Sequence, residues 1–523
     1  MAVTLTYPGV YVQEVPSGNR TITGVATAVT AFVGSALRGP VHRPVPISSY
    51  AQFERQFGGL WRNSGLGYAV QDYYLNGGNL AVIVRLPGGA EDEEAGAAPA
   101  RMDAGGLTLE AATRGAWGDL LEVDVAHATA GPEAEAVAER QGVAVDALFH
   151  LTVREGPRAE PRQQESHLNL TVVDGPRQVD DVLRISDLVV TVPGGLPGTR
   201  PAPGTYTVRS AGSTGRDTGK LVFADYVPPS AGQPAEEKVG IDALRDADLF
   251  TILCLPPGDP GGDLPDEVWA HALALCAEER AFLLVDPPAD ESRTTIRTWL
   301  EGRGLTSRGR NGGIYFPRLR RADPLRDNAV RPFVPSGAVA GVMARTDSAR
   351  GVWKAPAGTE AGITGATGLA VTLTDGENGD LNPFGINCLR TFRTVGTVVW
   401  GARTLRGADL VADEYKYVPV RRLALFLEET LWRNLHWVVF EPNDEPLWAQ
   451  IRASIGAFLQ DLFRQGAFQG STPRDAYFVR CDAETTTQYD IDRGIVNIVV
   501  GFAPLKPAEF VVVSIQQKTA TAS

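Results

Sequence analysis

Histidine and cysteine are too thinly spread in this chain to build the usual catalytic or metal centres. The six histidines (His42, His127, His150, His167, His271, His436) lie far apart and form no HExxH pair. The four cysteines (Cys254, Cys276, Cys388, Cys481) form no CxxC and read as reduced, buried small hydrophobes of a cytoplasmic product. On that reading the sequons at Asn19 and Asn169 carry no glycan. No GxSxG elbow occurs, which removes the hydrolase nucleophile turn. The start, MAVTLTYPGV, lacks the basic and apolar regions of a secretory signal, and no apolar run is long enough to span a bilayer. Basic charge is in deficit too. A net charge of −13 argues against a nucleic-acid partner, because phosphate binding needs a basic surface, and it keeps a self-associating protein soluble.

What is present is enough chain for real cores: 523 residues suggest two to four domains, and 43% hydrophobic with 21% charged residues describes an ordinary globular protein. Two near-phosphate motifs fail on inspection. STGRDTGKL (Ser213 to Leu221) has Thr214 where a P-loop needs its first glycine and Leu221 where it needs a magnesium-holding hydroxyl, so it reads as a flexible hairpin. The β-α-β unit from Asp248 to Asp286 has the length of a parallel crossover and admits a soluble α/β nucleotide-binding enzyme. The turn after its first strand, PPGDPGGDLP, removes amide donors instead of supplying them. The carboxylates of TDGENGD (Thr374 to Asp380) lack calcium-loop spacing and the closing Glu. No catalytic residue, cofactor or metal site is expected.

Along the chain, Thr30 to Pro40 reads as a buried strand. Ser48 to Phe57 and Gly67 to Asn76 read as helices closed by glycine pairs, and LAVIVRL (Leu80 to Leu86) as a strand covered on both faces. After an acidic linker, the stretch to about Pro234 is β-rich with loops of Gly and Pro. Helices are expected over Val420 to Leu435, with Leu423, Leu427, Thr430 and Leu431 buried, and over Glu445 to Gln465, with Pro446 near its first turn and Gly466 ending it. The fold class is therefore mixed α/β.

The two ends stand apart. YPGVYVQEV is bracketed by Pro8 and Pro16, and PAEFVVVSIQQ is set off from the preceding strand by Pro504 and Pro507; both are rich in β-formers with nothing in their own neighbourhood to pair with. Such a strand either pairs within its own domain or adds itself to another subunit's sheet edge.

Several blocks in order resemble a contractile tail sheath protein, of the kind built by contractile-tailed phages, R-type bacteriocins and phage-derived injection systems. They are YPGVYVQEVPSGNRTITGVATAVTAFVG, SSYAQFERQFGG, VPSGAVAGVMARTDSARGVWKAPAG, LNPFGINCLRTF, VVWGARTL, VFEPNDEPLW, DAYFVRCD and APLKPAEFVVVSIQQ. The similarity spans about 1 to 85 and 240 to 523 and leaves out the β-rich stretch. The resemblance implies an N-terminal linking arm (1–22), an α/β core in two parts (23–104 and 236–365) and an outward-facing insertion (105–235). It further implies an inner-wall C-terminal domain (366–503) and a C-terminal linking arm (504–523). Val10, Tyr11, Val12, Glu14 and Val15 of one arm and Phe510, Val511, Val512 and Val513 of the other would join sheets of neighbouring subunits. The flexible joints would lie at Ser17 to Arg20 and Pro504 to Pro507.

The implied partners are other copies in hexameric stacked rings of a helical sheath, an inner tube, and baseplate and terminal cap proteins. Neither nucleic acid nor membrane insertion is implied. The particle would assemble in a bacterial cytoplasm and shorten from a metastable extended state without nucleotide. Arg464 and Arg474, near the end of the last long helix, are the candidates to face the tube. The Val334 to Gly358 block reads as packing, with Pro335-Ser336-Gly337 a tight turn and Arg345 and Trp353 as anchors. A static shell or tube component is the remaining structural alternative.

Overall fold

The computed structural model describes residues 20–127, 131–208, 212–227 and 238–512. It divides into two compact units. The larger takes Ala28–Thr346 and Pro356–Lys416; the smaller takes, of the described residues, 20–27, Asp347–Ala355 and 417–512.

Six parallel strands form the centre of the larger unit: β1 (Val29–Gly34), β3 (Leu80–Arg85), β12 (Ile252–Cys254), β13 (Phe282–Val285), β14 (Gly312–Phe316) and β18 (Ile386–Phe392). Short antiparallel strands, β2 (Val45–Ile47) and β19 (Gly396–Val399), end the sheet, in the order β19-β18-β14-β13-β12-β1-β3-β2. All six residues of β1 and five of the six in β3 are buried, as their unbroken apolar runs require of strands covered on both faces. The chain visits the parallel strands in a doubly wound order that reverses between β1 and β12.

Both edges are closed. β2 is three residues long and contains Pro46, which has no amide to donate. On the other side, residues 358–363 lie against β19: Gly358 N–H donates to Val399 O at 2.9 Å and Val399 N–H to Ala361 O at 3.0 Å.

Local rules account for the helices. The Ser49 side chain accepts from Gln52 N to start α1 (Tyr50–Phe57), and Gly58 ends it at φ 90°. Helix α2 spans Leu66–Leu75. Between β12 and β13, α3 (Glu267–Glu278) buries Val268, Trp269, Ala272, Leu273 and Cys276, the face its spacing predicts.

The tight turn expected at Pro335-Ser336-Gly337 is instead the start of α4 (Ser336–Arg350). Its glycines serve close approach: a Cβ on Gly337 would lie 2.1 Å from Ala69 O, and one on Gly341 2.5 Å from Tyr73 O. TDGENGD forms α5 (Asp375–Leu381), opened by a reciprocal capping box between Thr374 and Glu377.

The β-rich stretch folds as two four-stranded antiparallel sheets. One has the order β10 (Gly204–Thr207), β6 (Leu121–Ala126), β7 (Phe149–Glu155), β8 (Gln163–Leu170). The other runs β11 (Gly212–Ser213), β4 (Arg101–Ala104), β5 (Leu107–Ala111), β9 (Val189–Thr191). A small three-stranded sheet, β16-β15-β17 (Ala329–Phe333, Leu319–Asp323 and Gly368–Leu369), completes the unit. Ser213 to Leu221 is not a hairpin. Ser213 pairs with Arg101, Ala98 and Arg216 exchange both backbone hydrogen bonds at 2.9 Å, and Thr218 and Leu221 are buried. The segment is a strap, pinned by these pairings and by its buried side chains.

The Ile386–Phe392 strand pairs with β14 inside the larger unit, and the smaller unit takes the described chain from Tyr417 onward. The smaller unit is built on α6 (Val418–Asn434), α7 (Glu445–Arg464, with Asp444 as its N-cap and Pro446 in its first turn) and a hairpin of β20 (Tyr477–Arg480) with β21 (Val499–Phe502). Leu423, Leu427, Ile451, Ile455 and Leu459 make its core, with Ile22 and Val352 added from distant parts of the sequence.

Candidate assembly surface

The buried polar groups of the larger unit are braces. Asp286, just past β13, accepts the Ser336 N–H at 2.9 Å and the Ser336 Oγ–H at 2.7 Å. Burial pushes its carboxyl up to about 7, against the opposing pull of Ser336 and the Arg318 charge. Arg318 donates to Pro287 O at 2.8 Å, Gly262 O at 2.9 Å and Asp263 Oδ1 at 2.6 Å. These two side chains, with Trp269 and Trp299, line a pocket of about 390 Å³. Its floor is thus already engaged with the protein itself.

The crevice between β1 and β12, where a doubly wound sheet takes a nucleotide, is occupied by backbone. Gly65 N–H donates to Pro257 O at 2.9 Å and Ser64 Oγ–H to Ser35 O at 2.6 Å. A Cβ on Gly65 would sit 2.9 Å from Pro257 O. His271 bonds Asp242 at 3.0 Å, and all four cysteines are buried, with burial raising the Cys388 thiol to about 12 and the Cys481 thiol to about 11. Among the described residues no group of three His, Cys, Asp or Glu is arranged to hold a metal, and no helix is long and apolar enough to cross a membrane.

The sequence blocks that look like motifs carry the same bracing. In LNPFGINCLRTF, Asn387 accepts the Arg403 N–H at 2.7 Å and donates to Arg403 O at 2.7 Å and Ile314 O at 3.1 Å. Arg345 donates to Asn76 O and Gly362 O, and Trp353 packs on the core of the smaller unit. Sequence reasoning did not find these pairs, nor the buried Asp347–Arg422 pair; an Arg or Asn inside an apolar helix or strand pattern is the signal that marks them.

Among the described residues, the smaller unit holds a sheet of two strands alone. The β20–β21 hairpin is two-stranded, and neither strand has a further partner strand among the described residues. Two strands alone are marginal, and their outer edges are templates for added strands. Phe478 and Val499 are exposed on it. The chain leaves β21 past Leu505 into Phe510, Val511 and Val512, which are 75%, 83% and 87% exposed and lie in no strand. Val513 lies outside the described residues, as do Val10, Tyr11, Val12, Glu14 and Val15. Arg464 is exposed and paired with Asp461 at the end of α7; Arg474 is exposed in the turn Pro473–Ala476.

Residues 249–405 match the phage tail sheath protein central domain, and residues 411–518 the phage tail sheath C-terminal domain. The chain belongs to the phage tail sheath family. The tail sheath protein of Burkholderia phage BcepMu is 25% identical over 476 residues, covering 88% of this chain and 87% of that protein. The tail sheath protein of Enterobacteria phage T4 is 29% identical over 168 residues, 32% of this chain and 24% of that protein. The PVC sheath of an extracellular contractile injection system, solved in the contracted state, aligns over 99% of both chains with a TM-score of 0.57 at 22% identity. A sheath tail protein from Listeria innocua aligns over 92% of this chain and 96% of its own, with a TM-score of 0.58 at 12% identity. This sheath subunit is a structural component of a contractile phage tail or phage tail-like particle, and its two-stranded β20–β21 sheet belongs to the domain that the second match covers.

Proposed function

We propose that this subunit polymerises into a helical sheath of stacked hexameric rings around an inner tube, and that the sheath shortens from a metastable extended state to drive the tube through a target envelope. The observation that carries the assembly step is the two-stranded β20–β21 sheet with no third strand among the described residues, beside an exposed apolar segment at Phe510 to Val512. A strand from another copy satisfies both the open edge and the exposed side chains. One such strand is weakly held, because ordering its backbone offsets most of what burial contributes; a lattice of them holds by multivalency. The heterologous head-to-tail contact generates a helix where the rotation does not close. Baseplate and terminal cap proteins bound the stack, and assembly takes place in the bacterial cytoplasm. Arg464 and Arg474 face the tube; charge reversal at both is expected to weaken tube co-sedimentation.

Electron microscopy of the full chain expressed alone, beside a version lacking residues 1–20, tests the reading. Hollow striated tubes from the full chain, lost on truncation, are expected. Small monodisperse particles from both proteins would overturn it.

A further inference from the structure

Residues 20–27 lie along α6 as a strap held by one ridge of that helix. Arg422, Phe426, Thr430 and Asn434 are four residues apart and so share a face. Asn434 Oδ1 accepts the Thr23 N–H at 3.2 Å, and its Nδ2 donates to Thr23 O at 3.0 Å. The other Nδ2 hydrogen goes to Thr430 O at 2.8 Å, so the amide has one orientation that satisfies all three bonds. Thr430 Oγ1 accepts the Val25 N–H at 3.2 Å, and Arg422 Nη2 donates to Thr27 O at 2.8 Å. Midway, a Cβ on Gly24 would stand 2.9 Å from Phe426 Cζ. At the start of the strap Ile22 is buried in the core, and the Arg20 guanidinium sits 4.8 Å from the centre of the Trp437 ring.

We propose that this ridge is the anchor of the N-terminal arm. It reads backbone groups at Thr23, Val25 and Thr27, and the strap adds side-chain contacts of its own where Arg20 meets Trp437, Ile22 fills the core and Gly24 passes Phe426. The joint expected at Ser17 to Arg20 then ends at Arg20. A pull arriving through residues 1–19 is taken up by α6 within two turns of its C-terminal end. The anchor stands on the contacts alone; its mechanical role rests on the sheath reading above.

Hydrogen exchange on the full chain tests the anchor, and electron microscopy of the same proteins tests the role. The ridge variant Thr430→Val/Asn434→Leu and the strap variant Gly24→Val are compared with Glu428→Gln, an exposed change on the same helix. Gly24→Val leaves α6 untouched, so it remains informative where the ridge variant fails to fold. The amides of Thr23 and Val25 are expected to exchange about tenfold faster or more in the first two proteins and unchanged in the third. Tubes from those two proteins are expected to be fewer and shorter. Unchanged exchange overturns the anchor. Faster exchange with tubes that assemble and contract as the parent does overturns the mechanical role. Absence of tubes from the parent protein, with exchange responding as described, overturns the sheath reading and leaves the anchor standing.

Discussion

Arg422 and Asp347 meet as a bidentate pair, Nη1 to Oδ1 at 2.9 Å and Nη2 to Oδ2 at 2.7 Å, with each side chain 3% exposed. Neither charge has water to turn to, so removing one strands the other. Arg422→Ala or Asp347→Ala is expected to cost about 3–5 kcal/mol, and Arg422→Met/Asp347→Leu to recover most of it. Denaturant midpoints of the three proteins check this; equal losses in the single and double variants would show that the pair is not what matters.

Helix glycines give a prediction in which the sign is diagnostic. A Cβ added at Gly456 in α7 would meet nothing within 4 Å, so Gly456→Ala should stabilise by about 0.5–1 kcal/mol. Gly341→Ala replaces the same residue type in a helix but drives a methyl against Tyr73 O and Asn76, and should destabilise by about 1–3 kcal/mol. Opposite shifts in urea midpoint are the expected result.

Asp286 makes stability depend on pH in an unusual direction for a carboxylate. Its folded pKa, about 7, lies above the 3.8 of the free group, so the folded state holds a proton that the unfolded chain has released. The stability this contributes is full below about pH 4 and is lost as pH rises to about 7, with a slope of at most about 1.4 kcal/mol per pH unit. Asp286→Asn accepts the Ser336 N–H through its oxygen, donates from its amide nitrogen to a turned Ser336 hydroxyl, and does not titrate. Subtracting its pH profile from the parent's cancels other groups, including Asp72, whose carboxyl burial raises to about 6. A flat difference between pH 4 and 8 would sink the assignment.

The exposed C-terminal run should separate folding from assembly. Phe510→Asp/Val511→Asp changes side chains that are 75% and 83% exposed, so the isolated subunit should keep its melting temperature, with stability within about 0.5 kcal/mol of the parent. Tube formation should be lost. Intact tubes at the parent's protein concentration would show that these residues do not carry the lattice.

Periodicity made much of the fold legible. The unbroken apolar run LAVIVRL gave β3, and the i, i+4 apolar faces gave α6 and α7 close to their ends. Where contrast was low, reading failed. GAVAG in α4 has no polar face to set against an apolar one, and Pro335-Ser336-Gly337 looks like a turn until the close passage of α2 explains the glycines. The strap at Ser213 to Leu221 was hidden because what holds it, Ala98 and Arg101, is distant in sequence.

The arms are a different case. Their β-formers are plain in the sequence, but the partner on another chain that the proposed assembly gives them would leave no local pattern naming it. Thr430 was visible as part of a buried face, while its bond to Val25 N–H, some four hundred positions away, was not.

The closed edges of the large sheet act as a routing device. An incoming strand finds a proline and three residues at β2, and at β19 a place already taken by residues 358–363. The β20–β21 hairpin offers what those edges withhold. If subunits join by strand addition as proposed, a subunit crowded among identical copies has its mistakes limited in advance: the widest sheet among the described residues is mute, and growth is left to the two-stranded one.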